Sequence, residues 1–392
     1  MKILFAHDHK FYVDSDGVYY SPGNFHYTIW QRYLSVFEEI VVAARSQPVI
    51  SKANLKKSSG PHVSFVIVPN ISSIPGRIFR YFEVRKALEQ NIIRVDGVIA
   101  RLPSVVGSLA IHVAESLQKP WAVEVVGCAW DSYWTHGSPL AKLFAPYAYY
   151  STRKLVGRSK FTLYVTKTFL QTRYPSRGVQ THCSNVEIAP VKEEVLTERL
   201  KFLEKKFDIL KIGFIGSLAT KTKGLDTALR ALAILHKKVN FVFEIVGGGP
   251  KDGWMTLVNK LNLQQNVRFI GTLPPGDAIN AWLDGCHIYI QPSYTEGLPR
   301  AVIEAMSRGC PVVASNAGGI PELLSTDVLV PPKNYRKLAE KIYTLYSNKN
   351  LLLEQAENNF RKAKEYEKPI LDMRRRQFWQ KFADYIESSS SV

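Results

Sequence analysis

Cysteine is scarce in this sequence. Cys128, Cys183, Cys286 and Cys310 stand far apart, with no C-x-x-C pair and no histidine at metal-ligand spacing, which argues against a disulfide framework and a structural zinc. Long apolar runs are also missing. Met1 to Ala6 is apolar, but His7, Asp8 and His9 interrupt it before a signal-peptide core or a membrane span is complete, so the expectation is a cytoplasmic chain. No internal repeat and no low-complexity block of consequence stands out. Negative charge is in deficit: 34 Asp and Glu face 51 Lys and Arg, leaving +17 at neutral pH. Such a field draws anions, whether nucleotide diphosphates, nucleic acid or an acidic bilayer, and by itself selects none of them.

The apolar content, 46% of 392 residues, is enough for two cores, and two domains are expected. In the first half, short apolar runs at Ile3 to Ala6, Glu39 to Ala44, Val63 to Val68, Gly97 to Ala100, Ala122 to Val126 and Phe161 to Val165 read as strands. Helix-length segments such as Tyr27 to Phe37 and Val106 to Leu117 separate them. This alternation predicts a parallel, doubly wound sheet. The second half repeats it from Lys211 onward, with strands to Val328–Val330 and helices such as Thr227 to Lys237 and Pro299 to Arg308 between them. The polar run Val191 to Asp208 is expected to hold the linker and the start of the second domain. Expected domains are residues 1–190, residues 191–365, and a tail, residues 366–392, read as a helix returning to the first domain with Phe378, Trp379, Phe382 and Tyr385 as an aromatic stripe. Two such domains would leave a cleft at the carboxyl ends of their strands, where ligands of open α/β sheets bind.

The most informative block runs from Gln291 to Met306. A buried strand enters a loop holding Glu296 and Gly297, and Pro299 opens a helix where its missing N–H costs nothing. Amides of Gly297, Leu298 and Arg300 at that helix start suit a diphosphate. Glu304, about one turn inside the helix, is placed to accept from a ribose hydroxyl pair while Glu296 reaches sugar hydroxyls. Upstream, Gly216 and Ser217 lead to Lys221, Lys223 and Gly224, and a lysine presented at a helix start is a point charge for a β-phosphate. The glycines at Gly247 to Gly249, at Gly271 and at Gly318–Gly319 follow further strands on the same rim.

In this order the pieces resemble the retaining glycosyltransferases of family four, whose architecture is GT-B: two Rossmann-like, doubly wound parallel-sheet domains facing a central cleft. The likeness is close over Ile209 to Tyr346, including the Glu-x7-Glu pair Glu296/Glu304 and Lys223–Gly224. It implies that Glu296 sits beside the donor sugar, that Glu304 holds the ribose and that Lys223 neutralises diphosphate. Where many members carry an arginine this chain has Ser217, so Lys221 and Arg300 are candidates to supply the missing charge. In the first half, Gly23 occupies the place of a glycine-rich loop whose second glycine is Asn24 here. Gly127 stands where a histidine is usual. Asp131 is therefore a third catalytic candidate, and Asn24, Arg101, Trp130 and His136 are candidates for the acceptor side.

The resemblance implies transfer of a sugar, with retention, from a UDP- or GDP-linked donor to a saccharide hydroxyl, without cofactor or metal. Basic segments bearing aromatics, Arg77 to Arg94 and Ser151 to Gly178, suggest a lipid-linked acceptor and an anionic inner membrane surface as partners, as in surface polysaccharide assembly. Asp14-Ser15-Asp16 has the D-x-D spacing of another glycosyltransferase fold, but lies far from the donor block and is discounted. His7 and His9 are likewise discounted as a metal pair. Alternatives are a nucleotide-sugar epimerase of the same fold and a nucleic-acid binder; the latter leaves Glu296 and Glu304 without a role.

Overall fold

The structure, a computed structural model, describes residues 1–23, 25–53, 55–70, 80–134 and 138–390. The chain divides into two compact units, Met1–Cys183 with Asp372–Val392, and Ser184–Leu371. The division falls ahead of residue 190 because Ile188 already pairs with Glu367, and Val191 N–H donates to the Glu367 carboxylate at 3.0 Å.

The first unit contains β1 (Lys2–Val13), β2 (Tyr19–Ser21), α1 (Tyr27–Leu34), β3 (Glu39–Pro48), β4 (Lys56–Lys57) and β5 (Val63–Ile67). It continues with α2 (Tyr81–Ile92), β6 (Gly97–Leu102), α3 (Val105–Ser116), β7 (Trp121–Val125), α4 (Ala129–Trp134), α5 (Pro139–Arg158), β8 (Phe161–Tyr164), α6 (Phe169–Arg173) and β9 (Val179–His182). The parallel strands stand in the order β5-β3-β1-β6-β7-β8-β9, and β2 and β4 add antiparallel pairs at the far end of β1. Both faces are covered, one by Val84, Leu88, Val106 and Val113, the other by Leu155, Val156, Leu170 and Tyr174, which is why the strands read as continuous apolar runs. β1 is far longer than its apolar start predicts. Its register against β3 shifts between Ala6 and Lys10, so His7, Asp8 and His9 lie within the strand at an irregularity rather than at its end.

The second unit contains α7 (Glu193–Glu204), β10 (Leu210–Ile215), α8 (Leu225–Leu235), β11 (Phe241–Val246), α9 (Asp252–Lys260), β12 (Val267–Gly271) and α10 (Asp277–Asp284). Then follow β13 (Ile288–Gln291), α11 (Arg300–Ser307), β14 (Val312–Ser315), β15 (Leu329–Val330), α12 (Tyr335–Ser347) and α13 (Lys349–Ala363). Its six strands are all parallel, in the order β12-β11-β10-β13-β14-β15. The polar run expected as linker is instead largely the helix α7, amphipathic with Leu196, Arg199 and Leu203 buried. Arg199 is what a composition reading misses: its guanidinium donates to the carbonyls of Arg308, Cys286 and Leu283 at 2.6 to 2.9 Å, so a charged residue pins the helix to the core.

The last helix, α14 (Lys368–Ser390), groups with the first unit from Asp372 onward. Phe378, Trp379 and Phe382 are buried there, Trp379 at 5.6 Å from the Tyr33 ring and Phe382 at 5.3 Å from Phe161. All four cysteines are buried and free. Among the described residues no helix is long and apolar enough to cross a membrane.

Candidate active site

The sheet of the second unit winds outward in both directions from its first strand. β11 and β12 lie to one side of β10, and β13, β14 and β15 lie to the other. Connections from β10 and β13 therefore leave in opposite directions, and the gap between their carboxyl ends is the switch point where open α/β sheets take ligands. The loop after β10 carries Lys223 and the loop after β13 carries Glu296. The two meet: Lys223 Nζ donates to Glu296 Oε1 at 2.6 Å, with the lysine about one-third exposed and the glutamate nearly covered.

The loops approach closely because glycine allows it. Gly224 has φ +75°, and a Cβ there would stand 1.9 Å from the Pro292 carbonyl oxygen. Tyr294 closes the contact, its N–H donating to the Thr222 carbonyl at 2.8 Å and its hydroxyl to Asp226 at 2.6 Å. Gly318, at φ +58°, lets the next loop reach Glu296, whose carbonyl oxygen would lie 1.8 Å from an added Cβ.

Glu296 is held from behind by a chain of hydrogen bonds along one face of β13 and its extension. Ile215 N–H donates to Tyr289 Oη at 3.2 Å, Tyr289 O–H to Gln291 Oε1 at 2.5 Å, Gln291 Nε2 to Ser293 Oγ at 2.9 Å, and Ser293 O–H to Glu296 Oε1 at 2.7 Å. Residues two apart on a strand share a face, so 289, 291 and 293 line up. Every hydrogen points toward the carboxylate. Burial pushes the Tyr289 phenol far up, keeping its proton as donor. Lys223 and Ser293 thus both donate to Oε1 of Glu296. The Tyr289–Gln291–Ser293 chain was not anticipated from sequence, although the alternation of polar residues on a buried strand carries its signal.

The helix α11 begins at Arg300, with Pro299 as its cap residue rather than its first turn, and among the described residues its start has no side-chain cap bond. Glu304 lies one turn in, partly buried; burial raises its carboxyl pKa, with the nearby Arg300 guanidinium opposing. A hydrogen-bonding diol would relieve the cost of that burial. Arg300, Lys221 and Ser217 are exposed, and Ser217 Oγ accepts from Ala219 N–H at 3.2 Å. Gly297 belongs to the same rim, its carbonyl accepting from Gly319 N–H at 2.8 Å, and Leu298 packs against the core. Gly247 is required by chain crossing: its added Cβ would stand 1.9 Å from the Gly216 carbonyl oxygen. Gly271, beside it, accepts from Gly247 N–H at 2.8 Å.

The other candidates lie in the first unit. Gly23 has open space where a Cβ would be. Arg101, next to last in β6, has its guanidinium 4.9 Å from the Phe25 ring centroid and 4.0 Å from Glu124, a carboxylate that also takes the Tyr33 hydroxyl at 2.7 Å. Asp131 pairs with Arg173 at 3.2 Å, and the same guanidinium nitrogen lies 2.9 Å from Cys128 Sγ. Trp130 stacks on Trp134 at 5.2 Å. Asn24 and His136 lie outside the described residues, as do Arg77, Ile78 and Phe79. Asp8 proves to be a helix cap, its carboxylate accepting from the Val105 and Val106 amides at 2.6 and 3.0 Å. His7 and His9 are both held neutral, His9 with its pKa lowered to about 4, by burial and then by Arg101. The basic run from Ser151 is partly spent internally: Arg153 donates to the Arg173 carbonyl at 2.8 Å and Arg158 pairs with Glu115 at 3.2 Å.

The family described as glycosyl transferases group 1 matches residues 210–348. Protein CapJ of Staphylococcus aureus is 34% identical over 359 residues, covering 91% of this chain and 88% of its own. The N,N'-diacetylbacillosaminyl-diphospho-undecaprenol alpha-1,3-N-acetylgalactosaminyltransferase of Campylobacter jejuni is 30% identical over 186 residues, 47% of this chain and 46% of that one. In fold, the chain is similar to Anabaena Alr3699/HepE solved with UDP, at a TM-score of 0.65, 18% identity and full coverage of both chains. The architecture is GT-B, and the chain belongs to the group 1 glycosyltransferases.

Proposed function

We propose that this glycosyltransferase moves a sugar from a UDP- or GDP-linked donor to a saccharide hydroxyl with retention, without a metal, during assembly of a surface polysaccharide. The observation that carries the reading is the Lys223–Glu296 contact at the switch point, beside the uncapped start of α11. As the glycosidic bond breaks, negative charge grows on the departing diphosphate. Lys223, the α11 amides and the cations Arg300 and Lys221 are the groups of this chain that would stabilise it, and charge already fixed in place costs no reorganisation. Glu304 would accept from the ribose diol. Glu296, oriented from behind, would receive the sugar hydroxyls on its second oxygen. The departing phosphate would take the acceptor proton on the same face.

Support for polysaccharide assembly comes from relatives whose names place them in colanic acid, teichuronic acid and amylovoran biosynthesis. Support for a lipid-linked acceptor comes from the diphospho-undecaprenol in the name of the Campylobacter relative. Peripheral contact with an anionic membrane is part of the same proposal.

A thermal-shift and hydrolysis screen against UDP-, GDP- and ADP-sugars, with and without EDTA, tests the donor site. Stabilisation by one of them that survives EDTA and is lost in Glu304→Ala is expected. No response to any would overturn the donor assignment. Proton NMR of the product anomer tests retention; inversion would reject it.

A further inference from the structure

The strand β9 is the outermost of its sheet. β8 pairs with one of its edges, and among the described residues no strand pairs with the other. Val179 and Cys183 N–H donate inward, to the Lys160 and Tyr164 carbonyls at 2.8 and 2.7 Å. Backbone groups alternate in direction along a strand, so the N–H and C=O of Gln180 point away from β8. Open edges are usually defended by proline, a charged side chain or a bulge. The sequence of β9, Val-Gln-Thr-His, carries no proline, lysine, arginine or acid, and its register with β8 is unbroken. Only its length, four residues, restrains it.

The charges stand across from the edge instead. Between β9 and α14 runs a groove of about 610 Å³. The helix lies over this end of the sheet, with Phe378, Phe382 and Tyr385 at 5.3 to 6.3 Å from Phe161 of β8. Arg374, Gln377 and Lys381 line the groove from the helix, and at about 100° per residue they fall within an arc of roughly 60°. Arg376 lines it as well, and no carboxylate does. Arg374 is held against the strand, its guanidinium nitrogen 3.0 Å from His182 Nε2. Arg376 and Lys381 are exposed. Such a wall repels a basic segment and attracts an acidic one. Val179, 43% exposed, is the only large apolar side chain that β9 offers to solvent, too little to insert into a bilayer.

We propose that this groove takes an extended acidic segment of a partner protein, added beside β9 as a further strand. Main-chain bonds to Gln180 would fix its direction and register, and every second side chain of an added strand would face α14. Carboxylates at those alternate positions meet Arg376 and Lys381. The surface belongs to the first unit, whereas the Lys223–Glu296 contact belongs to the second, and the proposal stands without the donor reading.

The test is fluorescence anisotropy of the full chain with a labelled heptapeptide of alternating glutamate and valine. Separate arms replace glutamate by lysine, or valine by proline, which keeps the charge but cannot pair as a strand. Saturable binding of the acidic peptide is expected, with none of the lysine peptide and at least about tenfold weaker binding of the proline peptide. Gln180→Pro removes an outward N–H and no bond to β8, and should weaken the acidic peptide about five- to tenfold. Lys381→Glu, at an exposed position, should weaken it about tenfold. If Gln180→Pro lowers Tm, the proline peptide and Lys381→Glu decide. Absence of binding overturns the proposal, as does equal binding of the proline peptide, which would mark charge without strand pairing, or full affinity in Lys381→Glu. Binding of duplex DNA or phosphatidylglycerol vesicles that Lys381→Glu abolishes, without binding of the peptide, also overturns it, in favour of a different polyanion.

Discussion

Ser293 and Lys223 meet on a single oxygen of Glu296, at 2.7 and 2.6 Å, while among the described residues the other oxygen takes no hydrogen bond. A carboxylate held this way cannot rotate without breaking two donors, so its second oxygen has a fixed direction in which to meet a sugar.

Lys223→Ala removes a cation from that arrangement and, on the function proposed above, from the donor diphosphate. Losing one preorganised donor lowers turnover by about two to three orders of magnitude. Initial-rate transfer assays should show the fall in kcat; turnover near the parent value would remove Lys223 from the catalytic groups.

Ser293→Ala leaves Glu296 in place but frees its orientation. One hydrogen bond to a charged group is worth about 1.5–3 kcal/mol, so kcat should drop roughly ten- to hundredfold with donor KM little changed. A Ser293→Thr variant, retaining the hydroxyl, should recover most of it.

Glu304→Ala should act on binding instead. Loss of a carboxylate partner for a diol is expected to raise donor KM by about tenfold or more, with a smaller effect on kcat. Equal loss of kcat and kcat/KM would give Glu304 a role in the transition state.

Gly224→Ala forces a Cβ against the Pro292 carbonyl at a φ that side chains avoid. The strain alone is about 1–3 kcal/mol, and relieving it must separate the Lys223 and Glu296 loops. Lower Tm together with lost activity is expected. A variant of normal Tm and activity would show that the loops do not need this approach.

Acid should loosen the fold before carboxylates protonate. Burial lowers His9 and His287 to about 4, and His287 is stacked between the rings of Phe202 and Phe207 at 4.7 and 4.1 Å. Below about pH 6.5 the unfolded chain binds protons that the folded chain refuses, so stability falls as pH falls from there toward 4. Each histidine contributes at most about 1.4 kcal/mol per pH unit. Denaturant midpoints measured at pH 7, 6 and 5 should decline, and a flat profile would contradict neutral, buried histidines.

The strands and helices of the second unit were largely legible because a parallel sheet buried on both faces leaves plain apolar runs with helical periods between them. Lys223 and Glu296 were each picked out by type and place. Their mutual contact was not, since it depends on strand order, which fixes which loops become neighbours. The length of β1 escaped because polar His7 to His9 look like a strand end, whereas a register shift carries them through the sheet. In α7 the Lys and Glu content hid Leu196 and Leu203, and burial of Arg199 was invisible until the carbonyls it satisfies were brought together from elsewhere in the chain.

The covered thiols give each unit its own clock. Cys128 and Cys183 lie in the first unit, Cys286 and Cys310 in the second, and burial raises the Cys310 thiol to about 11 and the Cys286 thiol further. A thiol that is both enclosed and protonated reacts with an alkylating reagent only when the surrounding structure opens. Mapping which cysteines are capped first, after brief exposure in mild denaturant, therefore reads out which half of the enzyme comes apart sooner, with no label or mutation introduced.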